Sequence, residues 1–151
     1  MKVSKLLKLH GMLVLTVHPD FTLAEAARRF ATSVGGRRFS LAVVTNHEDQ
    51  VLGVISLGDI SHALGEHEAD AAKMLVRDVM TTKVTSCSLE DDLEDVLKTM
   101  ADTGIRHTPV VEGGKLAGLV ARRDALEFLY QQASLDAAHL TDWLFRPDAR
   151  Y

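Results

Sequence analysis

"GVISLGDI", Gly53 to Ile60, is an apolar run closed by serine, glycine and aspartate, and it returns in altered form as "GLVARRDA", Gly118 to Ala125. Gly53 and Gly118, like Asp59 and Asp124, stand 65 residues apart. A repeat found early governs the fold, because each copy is one supersecondary unit that needs its neighbour for cover. Upstream, "LAVV" (Leu41 to Val44) matches "TPVV" (Thr108 to Val111) at a spacing of 67, and "TLAEAARRFA" matches "DLEDVLKTMA" with Leu23 opposite Leu93 at 70. The falling spacing gives the first copy three extra residues around "SVGGRR" and two around "NHEDQ". Both pieces are glycine-rich or polar, as surface insertions are. On this alignment Phe39, Ser40 and Ala42 stand opposite Arg106, His107 and Pro109.

Periodicity reads the same way in both copies. A short apolar strand comes first, "MLVLTV" or "TKVTSC". A helix follows with apolar residues at i, i+3, i+4 and i+7: Leu23, Ala26, Ala27 and Phe30, then Leu93, Val96, Leu97 and Met100. Thr22 and Glu25 have capping-box spacing at the first of these helices. Two strands joined by a turn come next, with "EGG" as the tight turn of copy two, and a second helix begins near Asp59 or Asp124. The order β-α-β-β-α, twice, predicts an α/β (α+β) domain in which two repeats pack with pseudo-two-fold symmetry and cover each other's sheets. The expected division is a first repeat over 8–66, a connector over 67–76, a second repeat over 77–132 and a C-terminal helical extension over 133–151. That extension carries Leu140, Trp143, Leu144 and Phe145, an apolar group suited to the protein's own core or to another subunit.

Composition excludes several classes. The 151 residues are 46% hydrophobic and 25% charged, ordinary for a globular chain. No window reaches the roughly 20 apolar residues of a membrane helix. The basic, apolar start "MKVSKLLKLHGMLVLTV" is interrupted by Lys8, His10 and Gly11 and lacks a cleavage site, so a signal peptide is rejected. A net charge of −4 offers no general field for nucleic acid, although paired arginines at 28/29, 37/38 and 122/123 leave local anion sites open. Cys87 is the only cysteine, which points to a reducing, cytoplasmic compartment.

Asp59 and Asp124 have two readings. Aspartate suits a helix start, and Ser56 with Asp59 has capping-box form. Copy two keeps the aspartate but has Ala121 in place of the serine, so a box is not the shared reason. A carboxylate also accepts both hydroxyls of a vicinal diol. Arg106 and His107 precede Pro109, which belongs at a strand end, and Arg122 and Arg123 adjoin Asp124; a guanidinium there would take a phosphate with two parallel bonds. Arg122 and Arg123, as neighbours on an extended segment, point opposite ways. The expected cleft joins Ser56 and Asp59 of copy one with Arg106, His107 and Arg123 of copy two. Gly53 and Gly58 have phosphate-loop spacing without the lysine and hydroxyl that follow it. His62 and His67 lack metal-ligand spacing on one helix face, "EHEAD" reads as a solvated charge run, and Cys87 reads as a small buried side chain.

On "DVMT", "IRHTPVV" and the paired Gly-x-x-[Ser/Thr]-x-x-Asp stretches, the chain resembles the tandem cystathionine-β-synthase (CBS) domain pair over about residues 8–132. No enzyme domain accompanies the pair, which looks free-standing. The resemblance implies a non-catalytic regulatory module that binds an adenosine-containing ligand between the repeats and needs no metal or resident cofactor. The ligand would be AMP, ADP, ATP or S-adenosylmethionine. It implies that the closing aspartate takes the ribose hydroxyls, that basic residues of the opposite repeat meet phosphates, and that pairs dimerise into a four-repeat disc. A homodimer and a client protein are the expected partners, with neither nucleic acid nor membrane. A ligand-independent interaction scaffold is the alternative.

Overall fold

Short helices and strands alternate along the chain as the repeat requires. α1 (Val3–His10) precedes β1 (Thr16–Val17), α2 (Leu23–Ala31), β2 (Leu41–Thr45), β3 (Val51–Ser56) and α3 (Leu57–His67). After a 3-10 turn over Glu68–Lys73 come α4 (Val76–Val79), α5 (Leu93–Thr103), β4 (His107–Glu112), β5 (Lys115–Ala121) and α6 (Arg122–Leu144). The computed structural model describes residues 1–32 and 35–144, with side chains through residue 139. No helix among the described residues is long and apolar enough to cross a membrane.

Local chemistry fixes the elements. Thr22 and Glu25 close the capping box of α2: the Glu25 N–H donates to Thr22 Oγ1 (3.2 Å) and the Thr22 N–H to Glu25 Oε2 (2.8 Å). Leu23, Ala26 and Phe30 bury the apolar stripe of α2, and Leu93, Val96 and Met100 that of α5. Gly113 and Gly114, with φ of 58° and 81°, make the β4–β5 hairpin turn that needs two left-handed residues.

Each repeat forms a small sheet. β1 runs parallel to β2, and β2 antiparallel to β3. β4 and β5 are antiparallel, and among the described residues only Cys87 supplies the third edge, bridging parallel to Val110. "TKVTSC" therefore yields no ladder. Its Thr82, Lys83, Thr85 and Ser86 are exposed, so it has no apolar face to hold it along a sheet. "MLVLTV" is likewise a strand only at Thr16–Val17.

The ladders move the internal alignment by one residue. Val44 faces Gly53 and Val110 faces Gly118, and a register shift follows each, which makes Leu41 the counterpart of His107 at a spacing of 66. Ser40, Leu41 and Val43, rather than Phe39, Ser40 and Ala42, thus stand opposite Arg106, His107 and Pro109. Two buried apolar runs match in either register, and a slip of one exchanges every face.

The two repeats also trade their opening helices. Val3 N–H donates to Asp91 O (3.0 Å) and Ser4 N–H to Leu89 O (2.9 Å), while Val76 N–H donates to Phe21 O (2.8 Å) and Arg77 N–H to Pro19 O (3.0 Å). α1 buries Val3, Leu6 and Leu7 in the second repeat's core beside Leu93, Met100 and Val120, whereas Val76 of α4 joins the first. Each such side chain contributes about 1.5–3 kcal/mol when fully buried. The basic, apolar start of the chain is thus an amphipathic core helix. At the other end α6 runs 23 residues without a break, so the segment after Ala133 continues it instead of forming a separate helix. The placement of Leu140, Trp143, Leu144 and Phe145 lies outside the described side chains.

Candidate functional site

Among the described residues, two clefts open where the repeats meet, and each draws residues from both. The first, of about 290 Å³, has Ser56 and Asp59 from the start of α3 on one side. Arg106, His107 and Pro109 at the head of β4 stand across it, and Lys83 enters from the segment between the repeats. Leu41, Val54, Ile105 and Val84 give it an apolar wall. An apolar wall with a few convergent polar groups is the usual build of a small-molecule site.

Ser56 is the N-cap of α3, and its box with Asp59 is complete. Asp59 N–H donates to Ser56 Oγ (3.1 Å) and Ser56 N–H to Asp59 Oδ2 (2.8 Å). Asp59 Oδ1 carries no hydrogen bond among the described residues, so capping and an acceptor role coexist in one carboxylate. Lys83 and Arg106 bring two positive charges to the same cleft, an anion-favouring field in a chain whose net charge is −4. Lys83 escaped the sequence reading because it sits in a presumed strand. Its one signal was that it replaces Leu13, its counterpart in copy one, at the entry to the repeat.

The second cleft, of about 430 Å³, is lined by Arg123, Asp124 and Glu127 of the second repeat and by Arg37, Arg38, Phe39 and Ser40 of the first. Arg37 Nη1 donates to Asp124 Oδ2 at 3.3 Å. Arg123 therefore belongs with Asp124 and not, as the sequence suggested, with Ser56 and Asp59, because the first turn of α6 carries both residues to this side. Arg122 lines neither cleft: its side chain is exposed, and its backbone N–H donates to Arg106 O (2.8 Å), extending the β4–β5 pairing. His107 borders both clefts. Burial holds its imidazole below the ordinary value; the Asp124 carboxylate opposes that shift and Arg106 adds to it. The neutral ring is favoured at neutral pH.

Other candidates from the sequence have plain structural places. Cys87 is buried, and burial, aided by Asp91, pushes its thiol up to about 12, far from a reactive thiolate. His62 Nε2 lies 3.3 Å from Glu66 Oε1 one helical turn on, at the surface. Among the described residues no group of three or more His, Cys, Asp or Glu is arranged to hold a metal ion.

Comparison with known proteins agrees with this architecture. A CBS-domain containing protein of Agrobacterium tumefaciens superposes with a TM-score of 0.74 at 29% identity, covering 84% of this chain and 98% of that one. The CBS domain pair of a protein solved with 5-methylthioadenosine and S-adenosyl-L-methionine superposes at 0.73 with 20% identity over 87% of this chain and 98% of that one, a likeness of fold. By sequence, an uncharacterized 17.7 kDa protein of Acidianus ambivalens is 31% identical over 112 residues, 74% of this chain and 64% of its own length. Inosine-5'-monophosphate dehydrogenase of Methanocaldococcus jannaschii is 35% identical over 127 residues, 82% of this chain but 23% of the enzyme. The chain spans about two thirds or less of the first curated relatives it matches. The family model for the CBS domain matches residues 14–66 and again 76–131, so the chain belongs to the CBS domain family, as a tandem pair of the repeats that serve as regulatory modules.

Proposed function

We propose that this pair is a non-catalytic sensor that binds an adenosine-containing ligand in the first cleft and passes the change in shape or rigidity to a partner protein. The observation that carries the reading is one apolar-walled cleft lined by Asp59, whose Oδ1 has no hydrogen bond among the described residues, and by the two cations Lys83 and Arg106. The carboxylate suits a ribose diol, the two cations a phosphate, and Leu41, Val54 and Val84 a flat base. Support also comes from the ligands of similar structures: the pair solved with 5-methylthioadenosine and S-adenosyl-L-methionine, and the cytosolic domain of the magnesium channel MgtE solved with ATP, similar at a TM-score of 0.65 and 26% identity over 76% of this chain and 44% of that one. Those ligands share an adenosine. The lone buried Cys87 is consistent with a cytoplasmic setting. Leu126, Tyr130 and Leu135, exposed along α6, offer a surface for a second copy or the client.

Binding regulates only if the ligand favours one state of the module over another. Thermal unfolding followed with AMP, ADP, ATP, S-adenosylmethionine and NAD in turn tests the reading. At a hundred times its dissociation constant a ligand adds about 2.7 kcal/mol. That is a midpoint rise of several degrees. Because the Ser56–Asp59 box accounts for Asp59 without any ligand, the second reading is a ligand-independent dimerisation or interaction scaffold. The absence of a shift with every compound selects it.

A further inference from the structure

The clefts differ at one decisive atom pair. In the first, Asp59 leaves Oδ1 free. In the second, the counterpart Asp124 already holds Arg37 at 3.3 Å. Arg37 comes from the loop between α2 and β2, where copy one is longer by the four residues that separate the helix spacing of 70 from the strand spacing of 66. Gly35 and Gly36, both left-handed with φ of 58° and 75°, stand just before it. The shorter loop of copy two carries Arg106, which lines the first cleft but forms no ion pair with Asp59 among the described residues.

We infer that Arg37 determines what the second cleft accepts: seated on Asp124, it turns away a phosphate-free nucleoside and yields to a nucleoside di- or triphosphate. The inference rests on the sensor reading above. A ribose diol donates to the same carboxylate, but to reach it must displace Arg37, and it offers that guanidinium no anion in exchange. A polyphosphate gives Arg37 a better partner than the carboxylate, since Arg38 and Arg123 line the same cleft and add two further cations. Asp124 is then released to the sugar. Glu127, the other acid of this cleft, opposes small anions and leaves the arginines as the reason for anionic selection.

Titration calorimetry with adenosine and with ADP, on the wild-type chain, Arg37→Ala and Asp59→Ala, tests this. Arg37 is 49% exposed, so its truncation leaves the fold intact. Expected for wild type are one adenosine and two ADP per chain. In Arg37→Ala adenosine gains a second site, while ADP loses affinity at that site by about tenfold or more. Adenosine filling two sites in wild type, or unchanged counts and ADP affinity in Arg37→Ala, overturns the gate. Those outcomes leave the sensor reading standing so long as Asp59→Ala removes a site, whereas no binding of either probe to any variant overturns both.

Discussion

A β-carbon on Gly53 would lie 2.6 Å from the carbonyl oxygen of Thr81, and one on Gly118 would lie 2.8 Å from Leu7 Cδ1. The glycine that opens the motif in both copies is thus explained by packing against the exchanged segments, not by a ligand. The two obstacles differ in kind. Thr81 is pinned by its N–H to Val54 O (2.9 Å) and by Val54 N–H to its own O (3.0 Å), whereas Leu7 is a side chain with rotamers to try. Gly53→Ala is expected to cost about 3 kcal/mol and Gly118→Ala about 1–2, measured as denaturant midpoints. Equal costs would contradict this account.

Asp59 and Ser56 share a cap but differ in reach. Ser56→Ala removes the acceptor for Asp59 N–H, and about 1 kcal/mol of stability goes with it. Asp59→Ala should lose a similar cap and, in addition, weaken an adenosine ligand roughly ten- to a hundred-and-fifty-fold. Melting curves and calorimetry on the two variants separate the roles. Equal, small effects on affinity would leave Asp59 a cap only.

His107 should make stability fall as the solution is acidified. Its folded pKa is depressed by burial from the ordinary 6.5, with Asp124 opposing and Arg106 adding. Between the depressed value and 6.5 the unfolded chain binds the proton more readily, so stability rises with pH through that window and is complete above it. Melting temperature is expected to drop as the pH falls below the ordinary histidine value of 6.5, and less so in His107→Gln. An anionic ligand beside the ring favours its protonated form. Binding in that range should therefore take up protons, read from the buffer dependence of the calorimetric heat.

Thr108 presents the opposite case, a polar atom without a partner. The residue is 2% exposed, and its Oγ1 has no hydrogen bond among the described residues. A methyl in its place removes an unmet desolvation cost, so Thr108→Val should stabilise by about 1 kcal/mol in a thermal melt. A loss of stability would show that the hydroxyl has a partner in solution.

How much could be read from the residues follows from how local each signal is. The capping box of Thr22 and Glu25, the double-glycine hairpin and the stripes of α2 and α5 are decided within a few positions, and all stand in the structure. Val3, Leu6 and Leu7 have helical spacing, but which core α1 joins depends on Leu89 and Asp91, far along the chain. Arg123 and Lys83 depended on which way a helix turn and a linker approach the clefts. Arg37 lay in an insertion whose register only the ladder spacing of 66 could fix.

The exchange of opening helices makes the halves interdependent. A fragment covering 76–131 would lack Val3, Leu6 and Leu7 and leave Leu93, Met100 and Val120 partly uncovered, so it would hunt for a substitute, most readily the same helix from another molecule. Contacts such as Val3 with Asp91 close loops of nearly ninety residues, which delays the second core until the chain's first segment has returned to it. The pair is one cooperative unit, tied like a knot of two crossed hands, and a perturbation felt by either half reaches the other through its borrowed helix.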